Sequence, residues 1–415
     1  MLNILFVSSD PFPPQRLDVK VLFGEKIPLY GHHIDWLLQS EDACDHSYKT
    51  SWANGTAWVG ARKSGDSILS SFTSHLYGLL NDFKLFRFAR HRRYDLIIVK
   101  DKFLSAVLAV LACKLWGGAV AYWLSWPFHE EYLAKSKLPD TSYPLLFKAR
   151  GHTFWFLLYK IIMPGCDHIF VQSEQMKRDV ENQGISSAKL TPVPMGVDAS
   201  DIQDQEHNGQ RELIPQFEKC FLYLGIITRL RRLDFLVRVL ALVRKEVAGV
   251  KFYLVGAGEP PEDEEDIRTE IKRLGLDDAV VMTGHLPREM ALQYAKEVDV
   301  CVSPFAPVPL LNSTSPTKLI EYLALGKAVV ANDHPEQREV LKESGAGICV
   351  GWDEQEFADA IIRLLSDSVL NKKMSERGAP YVRAHRTYDA IAKFVESELL
   401  EVVKKNRQGP ARDAS

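Results

Sequence analysis

Short apolar runs alternate with longer stretches of helical spacing along the whole chain. Asn3–Ser8, Asp95–Val99, Val120–Leu124 and His168–Gln172 each have the length and apolar density of a buried strand, and Ser105–Trp116 between two of them is spaced as a helix. The rhythm starts afresh further on. Strands are predicted at Phe221–Gly225, Lys251–Val255, Ala279–Thr283, Val298–Val302, Ala328–Ala331 and Gly347–Val350. Helices are predicted at Asp234–Val247, Glu264–Leu274, Arg288–Glu297, Pro316–Leu325, Gln337–Glu343 and Glu354–Ser366. Strand and helix in turn build parallel sheets covered on both faces, so the fold class is α/β with two doubly wound, Rossmann-like units. The stretch 40–65, with its tryptophans and spaced glycines, fits either extra strands or a loop.

Residues 199–212 (ASDIQDQEHNGQRE) separate the two series and have the polar composition of a linker. The expected organisation is a first unit over 1–198, the linker 199–212 and a second unit over 213–387. A last amphipathic helix, 388–404, is expected to pack back on the first unit. The polar tail from Asn406 has the composition of a disordered end. Sheets of this kind bind ligands beyond the carboxyl ends of their strands, and two facing each other would make a substrate cleft.

Composition adds a few exclusions. With 46% hydrophobic residues, 25% charged residues and a formal net charge of -3, the chain is an ordinary globular protein and no binder of nucleic acid. The charge is uneven: residues 1–198 hold 22 Lys and Arg against 19 Asp and Glu, and the remainder holds 29 against 35. The basic excess centres on Lys84–Lys102. It reads either as a solvated helix face or as attraction to an acidic surface such as anionic lipid, and Arg87–Arg93 with the aromatic stretch 147–164 would mark a peripheral membrane contact. Six scattered cysteines without metal-ligand spacing suit a reduced compartment. The N-terminus lacks signal-peptide features and no apolar stretch reaches membrane-crossing length, so a cytoplasmic location is expected.

The chemistry concentrates in the second unit. In 313–330 (STSPTKLIEYLALGKAVV) a Ser/Thr/Pro loop precedes a helix that Gly326 stops. Ser315 is placed to cap that helix and Pro316 to begin it, leaving backbone N–H groups and a partial positive charge suited to phosphate. Glu321 falls among Leu319, Ile320, Leu323 and Ala324. Read alone it is a solvated helix Glu; if buried, its carboxylate needs hydrogen-bond donors, such as ribose hydroxyls. Upstream, Gly225 opens a loop with Arg229, Arg231 and Arg232, whose guanidinium forks match phosphate oxygens. Gly256 and Gly258 end the next strand; they lack the third glycine of a dinucleotide fingerprint.

These segments together resemble the family 4 retaining glycosyltransferases, also called group 1, which have the GT-B fold. FLYLGIITRLRRLDFLV, YLVGAGE, SPTKLIEYLALGKAVV and VPMGVD carry the resemblance, while SSDPFPP and HIFVQSEQMK match more loosely. The resemblance implies a nucleotide-diphosphate sugar as donor, UDP- or GDP-linked, and a glycan, lipid-linked or small-molecule acceptor held by the first unit. It implies no bound metal and no separate cofactor. Glu321 matches the second Glu of the family's E-x7-E motif, which binds the donor ribose. Arg231 matches the basic residue on the diphosphate, with Arg229 and Lys318 beside it. Thr314, Ser315 and Thr317 would lie near the phosphates, and Gly225, Gly256 and Gly258 near the nucleoside. In the first unit, His129 occupies a region whose polar residue lies near the reacting sugar in the family; a loop histidine without a role is the equal alternative. Asp10 and Arg16 are further candidates on the first loop.

Two departures stand out. The first Glu of E-x7-E is replaced by Ser313, and the arginine after the loop glycine by Ile226. They keep open a catalytically silent protein that binds a nucleotide sugar or a partner. A nucleotide-sugar epimerase, which shares the architecture, is the other rival, although no carboxylate and His constellation for it is evident.

Overall fold

The structure, a computed structural model, describes residues 1–62, 77–78, 80–92, 94–137, 141, 143–203, 212–258 and 262–408. Residues 63–65 of the stretch left open above, Arg93, the middle of the predicted linker (204–211), Glu259 and the tail beyond 408 lie outside the described residues. The chain forms two compact units, Met1–Pro194 with Tyr388–Ser415, and Met195–Thr387.

The first unit is built on an eight-stranded sheet in the order β3-β4-β2-β1-β5-β6-β7-β8. The strands are β1 (Asn3–Phe12), β2 (His33–Ser40), β3 (Tyr48–Trp52), β4 (Gly55–Gly60), β5 (Leu96–Lys100), β6 (Ala119–Leu124), β7 (His168–Val171) and β8 (Leu190–Pro192). All pairs are parallel except β3 with β4. The stretch 40–65 is therefore mainly an antiparallel hairpin. Its turn places Ala53 in the left-handed region (φ 51°). Strands β5, β6 and β7 are buried at every position, which is why their sequences are unbroken apolar runs rather than alternating ones. The helix Tyr388–Gln408 buries Tyr388, Ile391, Ala392, Val395, Leu399, Val402 and Val403 against Ile4, Ile34 and Trp36. That spacing is a single face of a 3.6-residue helix.

The second unit holds a six-stranded parallel sheet in the order β11-β10-β9-β12-β13-β14. Its strands are β9 (Cys220–Leu224), β10 (Lys251–Val255), β11 (Val280–Gly284), β12 (Val300–Ser303), β13 (Val329–Asn332) and β14 (Gly347–Val350). Helices α1 (Asp234–Glu246), α2 (Glu262–Leu274), α3 (Arg288–Glu297), α4 (Thr317–Ala324) and α5 (Pro335–Ser344) lie among them.

Strand order reverses once in each sheet. From β1 the chain runs outward through β2 and β4, then returns to β5 on β1's other side. From β9 it runs outward through β10 and β11, then returns to β12. Such switch points leave a crevice outside the carboxyl ends of the two flanking strands, where ligands of open α/β sheets bind.

Candidate functional site

The loops that leave β9 and β12 flank the second sheet's switch point, and most of the predicted site residues lie on them or beside them. Gly225 follows β9, and its N–H donates to the Val255 carbonyl at 3.0 Å. Ile227 donates to the Ala257 carbonyl at 3.1 Å, so the glycine loops after β9 and β10 run side by side. Gly256 has φ 138°, and a Cβ there would fall 2.0 Å from the Gly225 carbonyl oxygen. The close backbone approach thus requires glycine. Gly256→Ala is expected to lower stability by about 2 kcal/mol or more and to displace this loop pair. Urea unfolding would check it, and an unchanged midpoint would contradict the packing described.

Residues Arg229–Arg231 form one tight helical turn, closed by Arg232 in the left-handed conformation (φ 51°). The three arginines face different surroundings. The Arg229 guanidinium lies 3.4 Å from Asp266, and Arg232 lies 3.5 Å from Asp234. Arg231 has no ion pair among the described residues. Its guanidinium lies over the Phe305 ring, 5.6 Å from the centroid. Phe305 is on the loop after β12, anchored through its N–H to Asn332 at 2.6 Å. Arg231 therefore reaches from the loop after β9 to the loop after β12, across the switch point.

The helix after this loop corrects one expectation. It begins at Thr317, with Pro316 at the cap position and no side-chain cap bond. Ser315 is not the cap: its hydroxyl donates to Glu336 at 2.7 Å and accepts from the Met195 N–H at 3.0 Å. Arg386 donates to the same Glu336 oxygen at 2.9 Å. Burial still holds the Glu336 carboxyl above its ordinary range, with Arg386 and Ser315 opposing that shift only in part. Thr314 turns back to the Leu311 carbonyl at 2.6 Å. Gly326 ends the helix at φ 65°, as its place in the sequence suggests.

Glu321 is buried, only 5% exposed. Lys318 holds one carboxylate oxygen at 2.7 Å and Arg288 the other at 3.2 Å. The solvated-helix reading of Glu321 is thereby set aside. The next residue, Tyr322, is fully buried, and its hydroxyl accepts from the Leu224 N–H at 2.7 Å, tying α4 to the end of β9. Sequence reasoning missed Arg288, Tyr322 and Phe305; nothing local in the sequence points to the first, which sits 33 positions from its partner.

The crevice thus gathers a buried carboxylate, two half-exposed cations on it and a third cation, Arg231, with no ion pair among the described residues. A carboxylate of this kind accepts from paired hydroxyls, and the cations suit phosphate oxygens.

His129 lies in the first unit, near the start of the helix Phe128–Lys135. It is buried edge-on to Tyr159, burial lowers its pKa to about 4, and its Nδ1 has no hydrogen-bond partner among the described residues. The imidazole is therefore neutral at pH 7. Asp10 and Arg16 join an ion network at the first sheet's switch point, where Lys100 lies 3.1 Å from Asp10 and Arg16 lies 3.2 Å from Asp18.

Comparison with known proteins bears directly on this arrangement. Residues 31–201 match the family model Glycosyltransferase Family 4, and residues 218–367 match Glycosyl transferases group 1. The alpha-monoglucosyldiacylglycerol synthase of Streptococcus pneumoniae is 29% identical over 219 residues, 48% of this chain and 47% of that protein. The chain spans about half the length of the curated relatives it matches. The sucrose-phosphate synthase of Thermosynechococcus elongatus has the same fold, with a TM-score of 0.71 at 19% identity over 97% of this chain and 100% of that one. So has Anabaena HepE, solved in complex with UDP and glucose, at 0.66 and 14% identity over 96% and 100%. Two Rossmann-like sheets, parallel but for the β3–β4 pair, with GT-B neighbours over the whole chain establish the fold class.

Proposed function

Because the chain carries group 1 and family 4 glycosyltransferase domains across its length, we propose that it transfers a hexose from a nucleotide-diphosphate donor to a glycan, lipid-linked or small-molecule acceptor, with retention of configuration. The observation that carries this reading is the buried Glu321 at the second sheet's switch point, held by Lys318 and Arg288. Glu321 accepts the ribose hydroxyls, and the loop-paired Gly225, Gly256 and Gly258 let the nucleoside approach the backbone. Arg231, Lys318 and the start of α4 face the diphosphate and stabilise the charge that grows as it leaves. No residue role calls for a metal. The UDP of the Anabaena neighbour makes uridine the first base to try.

A lipid-linked acceptor agrees with the diacylglycerol in the name of the pneumococcal relative. No helix among the described residues is long and apolar enough to cross a membrane, and the contact with lipid in this reading is peripheral.

Glu321→Ala is expected to weaken UDP or GDP binding about ten- to a hundred-fold, the worth of one charge-assisted hydrogen-bonded group. Calorimetric titration checks this, and unchanged affinity would remove Glu321 from the site. A melting-temperature panel with UDP, GDP, ADP and their sugars tests the whole reading: one nucleotide should raise the transition selectively. A second reading, a nucleotide-sugar binder without turnover, is favoured by Ile226, 57% exposed where the family carries an arginine. Donor binding without hydrolysis or transfer to any acceptor would select it.

A further inference from the structure

The helix Lys84–Arg92 carries a basic stripe beside a cavity, and the proposed donor chemistry makes no use of it. Lys84, Arg87 and His91 recur at intervals of three and four, so they share one helix face. None of the three has an ion pair among the described residues. Of the described acids near this helix, Asp35 accepts from the helix's own Arg92 at 2.8 Å and from Tyr94 at 2.6 Å, Asp82 is bonded to Lys102, and Asp45 lines a neighbouring pocket with Lys84 without an ion pair to it. Burial lowers the Lys84 pKa. Like charges spaced in this way cost the helix stability.

The stripe borders a cavity of about 440 Å³, lined by Trp58, Lys84, Arg87, Phe88, His91 and Arg92. Trp58 and Phe88 pack at 4.5 Å, and the Arg92 guanidinium lies over Trp58 at 4.4 Å from the ring centroid. This is a preformed aromatic and cationic wall, not a scatter of surface lysines. Beside it stands an apolar ridge. Phe83 stacks on Phe86 at 6.5 Å, and Phe86 meets Trp116 edge-on at 5.7 Å. Phe83, Leu115 and Trp116 are all exposed. Cations that can take a phosphate, next to exposed aromatic and leucine side chains, match the boundary between lipid headgroups and acyl chains.

We propose that the cavity between Trp58 and the helix Lys84–Arg92 is a headgroup site for an anionic phospholipid, with the Phe83–Phe86–Trp116 ridge entering the acyl boundary. The occupant is a membrane lipid rather than a soluble phosphate, because the ridge has no use in water. The inference deepens the peripheral-membrane part of the function proposed above and needs neither the donor site nor turnover.

The test is vesicle flotation of the whole protein with phosphatidylcholine alone and with added phosphatidylglycerol. Binding should require the anionic lipid and fall with salt. Lys84→Ala with Arg87→Ala should weaken it about thirty-fold, while Lys245→Ala with Lys373→Ala, which removes equal charge from the second unit, should not. In the wild-type chain, anionic vesicles should protect Lys84 from acetylation read by mass spectrometry, which keeps the test independent of how the variants fold. Equal binding to neutral vesicles, an unaffected Lys84/Arg87 variant, or absent Lys84 protection would overturn the proposal. Protection of Lys84 by inorganic phosphate with no flotation would make the cavity a soluble-anion pocket and overturn it equally. Donor melting shifts report separately on the nucleotide site.

Discussion

Arg231→Ala is expected to lower kcat for sugar transfer by about 10²–10³-fold while changing donor KM little, since a preorganised donor aimed at developing charge acts mainly in the transition state. The expectation comes from the unequal surroundings of three neighbouring arginines. Arg229 and Arg232 each face a carboxylate at 3.4 Å and 3.5 Å, so part of their field is spent before any ligand arrives. Arg231 faces the π-cloud of Phe305 instead. An aromatic face orients a guanidinium without neutralising it, and the fork keeps its donors for phosphate oxygens. Arg229→Ala should therefore cost less than about fivefold, as expected for an exposed ion pair. Arg231→Lys should recover only part of the loss, because a point charge lacks the planar fork. Steady-state kinetics of the three variants decide the matter. Equal losses at Arg229 and Arg231, or a rise in KM with kcat intact, would take Arg231 out of the leaving-group role. If the protein proves to bind nucleotide sugar without turnover, donor affinity becomes the readout, and Arg231 should still exceed Arg229 in effect.

The sequence revealed this site unevenly, for physical reasons. Strands in the middle of each sheet are apolar on both faces, so β5, β6, β9 and β10 stand out as short runs whatever packs on them. Strand β2 does not, because Asp35 interrupts it; that buried carboxylate is satisfied on one oxygen by Arg92 and Tyr94, 57 and 59 positions on, and on the other by the Thr56 N–H. The helix Pro144–Phe156 leaves Leu145, Leu146 and Phe156 exposed, so its apolar residues trace no core-facing stripe. Local punctuation is readable where one residue decides the backbone, as at Gly326 for the helix stop; Gly256 reads as room for a ligand, and only the structure shows the Gly225 carbonyl in the space of its Cβ. Partnerships across sequence are not readable in this way. Ser315 has the local look of a cap, yet its hydroxyl goes to Glu336 and Met195, a tertiary competitor invisible in the loop itself. Glu321 could be placed on its helix but not weighed as buried until Arg288 was seen to complete its partners.

The largest stability effect is expected at the first sheet's switch point. Lys100, at the end of β5, is 1% exposed, and its ammonium lies 3.1 Å from Asp10, 3.6 Å from Asp18 and 3.5 Å from Asp101. Three carboxylates thus share this lysine and the half-exposed Arg16. Burial alone would raise the Asp18 pKa, but Lys100 and then Arg16 outweigh it and hold the carboxyl below its ordinary range. Asp101 stays above its ordinary range because burial exceeds the opposing pull of Lys100 and Ser125. Lys100→Met keeps the length of the side chain and removes the charge, leaving buried carboxylates with one cation. The expected loss is about 3–5 kcal/mol at pH 7. Its sign with pH follows from proton counts. In the wild type, Asp18 contributes stability above its unfolded pKa of about 3.9, and that contribution fades as pH falls through the lowered folded value. In the variant, Asp18 and Asp101 both move upward, so the folded state binds protons that the unfolded chain does not, and stability grows as pH falls towards their unfolded values. The gap between wild type and Lys100→Met should therefore narrow between pH 7 and pH 5. Urea unfolding at both values reads it. A loss below about 1 kcal/mol, within the range of ordinary surface changes, or a gap indifferent to pH, would mean that Lys100 is not the countercharge on which this end of the sheet depends.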